Sequence, residues 1–303
     1  MAIPSSGTIS LAGIRAELAT NTYNASATTT ASLEDCSDGT VATINTGNAS
    51  GDRPNGSAPH AMSEFYAYDH DVSSFTDNIS FDFDGTNDYL EGSGNLSSAI
   101  SVSTGSISTW IKIDSMSANG LIWSINTEEG STDQIFLLWH NASGVVRSNF
   151  KGGNVSNIAD SSTGLENDNT WHHFVVTWQA VSKASGNIIK IYQDGSLQDS
   201  DAIGTIYSGG SATFGFGRNK LQNYGQNFNG HMNDMAIFND VLTSSEVSSI
   251  YNSGAPKDES GHSGLIAYYT LENYSNGDTT VADDSSNSYA LTITNSTDID
   301  STD

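Results

Sequence analysis

The chain has 303 residues with 35 acidic against 10 basic side chains, a formal net charge of −25, and a single cysteine, Cys36. So negative a field repels phosphate backbones and excludes nucleic acid as a partner, and one cysteine excludes an internal disulfide framework. The start MAIPSSGTIS has no basic or apolar leader and no run of about eighteen apolar residues occurs, so neither a signal peptide nor a membrane span is expected.

Residues 1–72 are rich in Ala, Thr, Ser and Asn, with short apolar clusters. Ser10 caps a short helix in which Leu11, Ile14 and Leu18 recur at helical spacing. A second helix is expected after Pro59, with Met62, Phe65 and Tyr66 on one face, and Val41 to Ile44 reads as a short strand. The remainder reads as loop, including Glu34, Asp35 and Asp38 around Cys36, with no positive neighbour to activate the thiol. Two short helices bury little surface, so this module is expected to dock on a partner through Ile14, Leu18, Met62, Phe65 and Tyr66.

From residue 73 the period changes to two. Ile79, Phe81 and Phe83 alternate with Ser80, Asp82 and Asp84; Ile107, Thr109, Ile111 and Ile113 with Ser108, Trp110 and Lys112; Phe174, Val176 and Trp178 with His173, Val175 and Thr177. Each such strand has one face to bury, and two antiparallel sheets packed face to face are the natural outcome. Asp194-Gly195 between Ile191-Tyr192 and Leu197 is a hairpin turn, and Phe214 and Phe216 mark another packed strand.

Gly230 opens a further alternation, with Met232, Asp234, Ala236 and Phe238 expected on one face. Thr243 and Glu246 then form a capping box, Leu242, Val247, Ile250 and Tyr251 supply an apolar stripe, and Gly254 and Pro256 stop the helix. Residues 264–295 are expected to add a strand at the edge of the sandwich, with Leu265, Ala267 and Tyr269 facing one side; residues 296–303 read as a loose tail.

The segment Phe228 to Gly254 resembles the closing strand and helix of laminin-G-like, concanavalin A-like jelly-roll domains. Phe81 to Leu90 resembles the opening strand and Asp/Asn-rich turn of that family, and Ser108 to Ile113, Trp171 to Trp178 and Lys190 to Leu197 follow in the family's order. The resemblance implies an all-β fold, a two-sheet antiparallel jelly-roll sandwich over residues 73–295, preceded by a small mixed N-terminal module. Separately, Ile3 to Leu18 and Arg53 to Asp71 resemble the amino-terminal module of structural proteins from tailed bacteriophages of aquatic bacteria. That resemblance implies a virion protein assembled in the host cytoplasm, attached to capsid or tail proteins by residues 1–72, with homo-oligomeric packing and an exposed second module.

Three kinds of chemistry bear on this composition. A retaining glycosidase places two carboxyl groups about 5 Å apart, commonly from one strand as Glu-x-Asp-x-x-Glu, and no strand here carries that pattern; no enzyme activity is expected. Asp84, Asn87 and Asp88 form an oxygen-dense turn, which relatives often pair with an acid on the closing strand, where Asp234 stands; these four are the candidate ligands of a structural Ca²⁺. Asn233 departs from the family's usual Asp, and the alternative is that the turn residues only bond backbone amides. Sugar binding needs exposed aromatics among amides and carboxylates. Trp123, Trp139, Tyr207 and Tyr224 are candidates, and the loop with Asn223, Tyr224, Gln226 and Asn227 is the most lectin-like. Of the histidines, His172 and His173 are expected one toward the core edge and one toward solvent.

The resulting expectation is a virion structural protein whose sandwich binds host-surface glycans. The alternatives are a bacterial adhesin or carbohydrate-binding module, and a degraded glycoside hydrolase.

Overall fold

The computed structural model describes residues 3–20, 22–24, 31–44, 53–66, 68, 70, 79–101, 103–115, 119–127, 134–152, 155–161, 165, 170–179, 188–202, 212–217, 227–252, 254–275, 277–294 and 299–300. The chain divides into two compact units, Met1–Thr76 and Asp77–Asp303, with the division four residues beyond the expected one.

In the first unit, α1 (Leu11–Thr20) starts as expected, with Ser10 Oγ accepting from the Gly13 amide at 3.0 Å. The five-residue α2 (Leu33–Ser37) lies where a loop was expected. Ser32 and Asp35 form its capping box: Asp35 N donates to Ser32 Oγ at 3.1 Å and Ser32 N donates to Asp35 Oδ2 at 2.9 Å. Residues 41–44 form no strand; Val41 N instead bonds back to Asp35 O at 2.9 Å, folding the segment onto α2. The helix expected after Pro59 is only a 3₁₀ turn, Met62–Phe65.

These elements enclose a core of Ile3, Ile9, Ile14, Leu18, Cys36, Phe65 and Tyr68. Ile14, Leu18 and Phe65 are therefore consumed inside the unit and are not the docking residues that the sequence suggested. Of the five, Met62 is 42% exposed, while Tyr66 is half-buried with its hydroxyl donating to Gly7 O at 2.6 Å. Burial pushes the Cys36 thiol pKa up, against a smaller opposing effect of the Arg15 charge, so the thiol has a positive neighbour but is not activated.

Among the described residues, the second unit is a sandwich of two eight-stranded sheets. The first contains β1 (Ser80–Asp84), β3 (Thr104–Ile113), β8 (His172–Gln179), β9 (Ile188–Gln193), β10 (Ser196–Ala202), β12 (Asn229–Phe238), β13 (Leu265–Tyr269) and β16 (Ile299–Asp300). The second contains β2 (Tyr89–Gly92), β4 (Gly120–Thr127), β5 (Gln134–His140), β6 (Val146–Gly152), β7 (Val155–Asp160), β11 (Ala212–Phe216), β14 (Thr280–Val281) and β15 (Leu291–Thr294). Order in the first is β10-β9-β8-β3-β12-β1-β16, with β13 also on β12, and in the second β14-β15-β2-β11-β4-β5-β6-β7; all pairings are antiparallel.

The alternating residues fill the space between the sheets. Phe81, Phe83, Ile107, Ile111, Ile113, Phe174, Val176 and Trp178 from the first meet Leu90, Trp123, Ile125, Leu138, Phe150, Phe214 and Phe216 from the second. Each such side chain contributes about 1.5–3 kcal/mol on full burial. Along β12 the expected alternation fails in one place. The register with β3 shifts between Asn233 and Ala236, Asp234 takes φ 48°, and the core side chains become Met232, Met235 and Ile237. This β-bulge moves one residue out of phase, so Asp234, Ala236 and Phe238 do not share the face of Met232.

The two ends of β12 also have different neighbours: Asn229–Met232 pair with β1, while Met235–Phe238 pair with β13. Residues 264–295 extend the edge of the second sheet beyond β2 through β15 and β14, as expected, and also add a strand to the first sheet. β13 joins β12, β15 pairs with β2, and Ala267 and Tyr269 lie in the core. Within the expected tail, Ile299 pairs with Phe81 and Asp300 with Ser80, which ties that stretch to β1.

The sandwich is closed along one side by side chains. Asp201 Oδ2 accepts from Ile158 N and Asp199 Oδ2 from Asp160 N, each at 3.1 Å, so β10 of one sheet satisfies edge amides of β7 in the other. Two further helices complete the unit: α3 (Gly94–Ala99), capped by Ser93, and α4 (Ser244–Tyr251). α4 has the expected Thr243/Glu246 capping box, but its stop is Asn252 in the left-handed conformation, φ 45°, two residues before Gly254. Tyr251 stacks on Trp110 and His173 on the outer side of the first sheet, with ring centroids 5.8 and 6.1 Å away.

Candidate binding surface

Of the expected calcium ligands, Asp84, Asn87 and Asp88 share one turn, and Asp234 lies apart from it. Asp84 Oδ1 accepts from Thr86 N at 2.6 Å and Asn87 N at 3.3 Å, and Asp88 Oδ2 accepts from Asp84 N at 2.9 Å, so these carboxylates hold the turn itself. Burial is the main cause of the raised Asp88 pKa, and the nearby Asp84 and Asp82 charges add to it. Asp84 stands opposite Asn229 in the β1–β12 register, and Asp234 lies beyond Met232. At about 3.3 Å per residue, roughly 15 Å of strand separates them. Asp234 is instead buried and accepts the hydroxyl proton of Tyr268 on β13.

Of the lectin-like loop, Asn223, Tyr224 and Gln226 lie outside the described residues, as does Tyr207. Asn227 is described: half-buried, bridging to Leu121, with its side-chain amide donating to Thr86 O. It braces the Asp84 turn.

The tryptophans separate clearly. Trp123 and Trp178 face each other in the core, centroids 6.4 Å apart, and Trp110 is covered by α4. Trp171 is half-buried and carries Lys112 Nζ 5.5 Å from its ring centroid. Trp139 is half-buried on the outer face of the second sheet, because its neighbour Leu138 points into the core. The Arg147 guanidinium lies 5.5 Å from its ring centroid, and Arg147 Nε and Nη2 donate to Asp160 Oδ1 and Oδ2 at 2.6 and 2.9 Å. Asn149, two residues along β6 from Arg147, shares that face. Ser124 and Asn126 on β4 and Thr213 on β11 continue it, with Asn126 opposite Thr213 in register. Asn126 Oδ1 and Thr213 Oγ1 are both buried without a protein hydrogen-bond partner.

The accessible part of this face is thus an indole, a bidentate Arg–Asp pair and the Asn149 amide across β7, β6 and β5, while Ser124 and Asn126 on β4 are buried. Arg147, Asn149, Asp160 and Thr213 were not among the expected site residues. Their strands carry an Arg-x-Asn and an Ile-x-Asp alternation at Arg147 to Asn149 and Ile158 to Asp160, a signal too short to stand out. The carboxylates of this face among the described residues, Glu91 on β2 and Asp160 on β7, are five strands apart in the sheet order. At about 4.8 Å per strand that is roughly 24 Å.

Three histidines serve structure. His173 is fully buried, with Nε2 2.7 Å from Ser108 Oγ, and burial pushes its pKa down to about 3. His172 is half-buried with Nδ1 2.8 Å from Asp194 Oδ2. His140 lies edge-on to Phe228, and burial lowers its pKa to about 4.

Residues 84–248, just over half of the chain, match the family described as the concanavalin A-like lectin/glucanases superfamily. No curated protein matches the chain. Among solved structures it is similar to a protein of Bacteroides ovatus ATCC 8483, described provisionally as carbohydrate-binding, with 17% identity over 77% of this chain and a TM-score of 0.54. The chain spans 62% of the length of that protein. It is also similar to the native heptameric SAP-like pentraxin of Limulus polyphemus, at 14% identity over 72% of this chain and 96% of that one, with a TM-score of 0.46.

Proposed function

The chain belongs to the concanavalin A-like lectin/glucanases superfamily, and we propose that its sandwich is a non-catalytic glycan-binding module. The observation that carries this reading is the position of Trp139: on an outward sheet face, beside the Arg147–Asp160 pair and Asn149. A pyranose lays its C–H face on an indole while its hydroxyls bond to amides, guanidinium and carboxylate. On this face, among the described residues, the carboxylates Glu91 and Asp160 stand roughly 24 Å apart, beyond the about 5–9.5 Å of glycosidase carboxyl pairs. A panel of polysaccharides tested for retention of the full chain, with released reducing ends measured in parallel, should give binding without new reducing ends. Release of reducing ends would favour the hydrolase reading.

The setting we propose is a virion, with Met1–Thr76 as the attachment module and the sandwich displayed toward host-surface polysaccharide. Its support is the likeness of Ile3 to Leu18 and Arg53 to Asp71 to phage structural modules, together with the first unit having its own core. Attachment then uses the module's surface, where Met62 is exposed, rather than the buried Ile14, Leu18 and Phe65. Co-purification with particles, and protection of residues 1–76 from protease only on the particle, are the expected results. A freely secreted monomer that binds polysaccharide would favour the adhesin or carbohydrate-binding-module alternative.

A further inference from the structure

On the outer face of the first sheet, Asp82 on β1, Asp114 just after β3 and His231 on β12 each offer one ligand atom, and the three atoms lie within 4.8 Å of one another. The register explains the convergence: His231 is the direct partner of Asp82 on one side and of Lys112 on the other, and Asp114 follows Ile113, the partner of Gly230. His231 Nε2 is 3.4 Å from Asp114 Oδ2. Two ligands each about 2.05 Å from a tetrahedral ion stand about 3.4 Å apart, so this pair already has metal-ligand spacing.

The second ring nitrogen fixes the imidazole's orientation. Ser80 Oγ lies 3.3 Å from His231 Nδ1; with Nδ1–H donating to that hydroxyl, Nε2 turns its lone pair toward the two carboxylates. His231 is buried and packs edge-on against Trp171 at 6.3 Å, which holds the ring in place, while Asp114 is exposed and leaves a path for an ion to enter. Lys112 Nζ lies over the same Trp171 ring, 5.5 Å from its centroid.

We infer that Asp82, Asp114 and His231 form a site for a borderline divalent cation of the Zn²⁺ type, with water or an external ligand completing the coordination. One imidazole and two carboxylates suit Zn²⁺ better than Ca²⁺, which takes six to eight oxygens. The site is separate from the Asp84 turn and from the Trp139 surface, and does not depend on the glycan reading.

The test is isothermal titration of the full chain with ZnCl₂ in a buffer free of chelating anions, because a net charge of −25 will also attract cations diffusely. The expected result is a tight equivalent whose affinity falls at least tenfold in His231→Gln and in Asp114→Asn, and is unchanged in Asp84→Asn. Should His231→Gln fail to fold, Asp82→Asn, on a half-buried side chain, makes the same test. Absence of a tight equivalent in the wild type, or its persistence at the same affinity in the folded variants, overturns the site.

Discussion

The Tyr268 hydroxyl donates to the Asp234 carboxylate at the bulge where β12 changes partners from β1 to β13. Both residues are buried, and Asp234 holds a left-handed backbone at φ 48°. Removing the donor leaves a buried acceptor short of a partner, which costs about 1–3 kcal/mol. Tyr268→Phe should therefore lower the melting temperature by several degrees. Asp234→Ala should lower it at least as far, by the same amount in calcium as in chelator. A chelator-sensitive wild type made insensitive by Asp234→Ala would instead assign Asp234 to calcium.

Gly230 has φ +144°, and a Cβ there would stand 2.2 Å from the Lys112 carbonyl oxygen. The obstacle is backbone in the next strand, which cannot rotate away. Gly230→Ala should cost at least about 2 kcal/mol in urea unfolding, through strain at this conformation and displacement of β3. A variant as stable as the wild type would contradict the β3–β12 register.

Glu259 is buried, Oε1 has no hydrogen-bond partner, and burial pushes its pKa up to about 7, against a smaller opposing effect of Lys257. A folded-state pKa above the unfolded value near 4.5 means the stabilising effect is present below pH 4.5 and is lost as pH rises through 7. Glu259→Gln removes that charge burial. It should stabilise the chain by about 1–3 kcal/mol at pH 8, with the gain vanishing near pH 4.5, as read by denaturant midpoints.

His173 and His140 carry the opposite sign. Their folded pKa values of about 3 and about 4 lie below the ordinary 6.5, so between these values the unfolded chain binds more protons. Stability should be full above pH 6.5 and fall as pH drops toward 4, by up to about 1.4 kcal/mol per pH unit per histidine. In a Glu259→Gln background, which removes the opposing slope, His173→Gln should reduce this acid-side slope. An unchanged slope would show that His173 is not buried neutral.

The legible parts of the sequence were those where local pattern and tertiary environment agree. Phe81 and Phe83, Phe174 to Trp178, the Asp194-Gly195 turn and the Thr243/Glu246 box each follow from local chemistry, and the structure has them all. The bulge at Asp234 was hidden because Met232 to Phe238 is buried on both faces and carries apolar residues at both phases of the alternation. Alternation alone cannot detect a phase change in such a run. Trp123 and Trp139 sit in similar apolar surroundings, LIWSI and LLWH, yet one is core and the other outward; only register separates them. In the first unit, Ile14, Leu18 and Phe65 were legible as apolar faces, but what they face depends on Ile3, Ile9 and Tyr68 closing over them from distant positions. The Asp82–Asp114–His231 group was invisible for the same reason: three residues far apart in the chain meet only through strand pairing.

The central claim is that the Trp139 surface binds glycan. Titration of the polysaccharide selected by the retention panel against wild type, Trp139→Ala and Tyr192→Phe, the last removing a hydroxyl on the opposite sheet, tests it directly. Trp139→Ala should weaken binding at least tenfold with an unchanged melting temperature, and Tyr192→Phe should bind as the wild type does. Equal affinity in Trp139→Ala would contradict the claim.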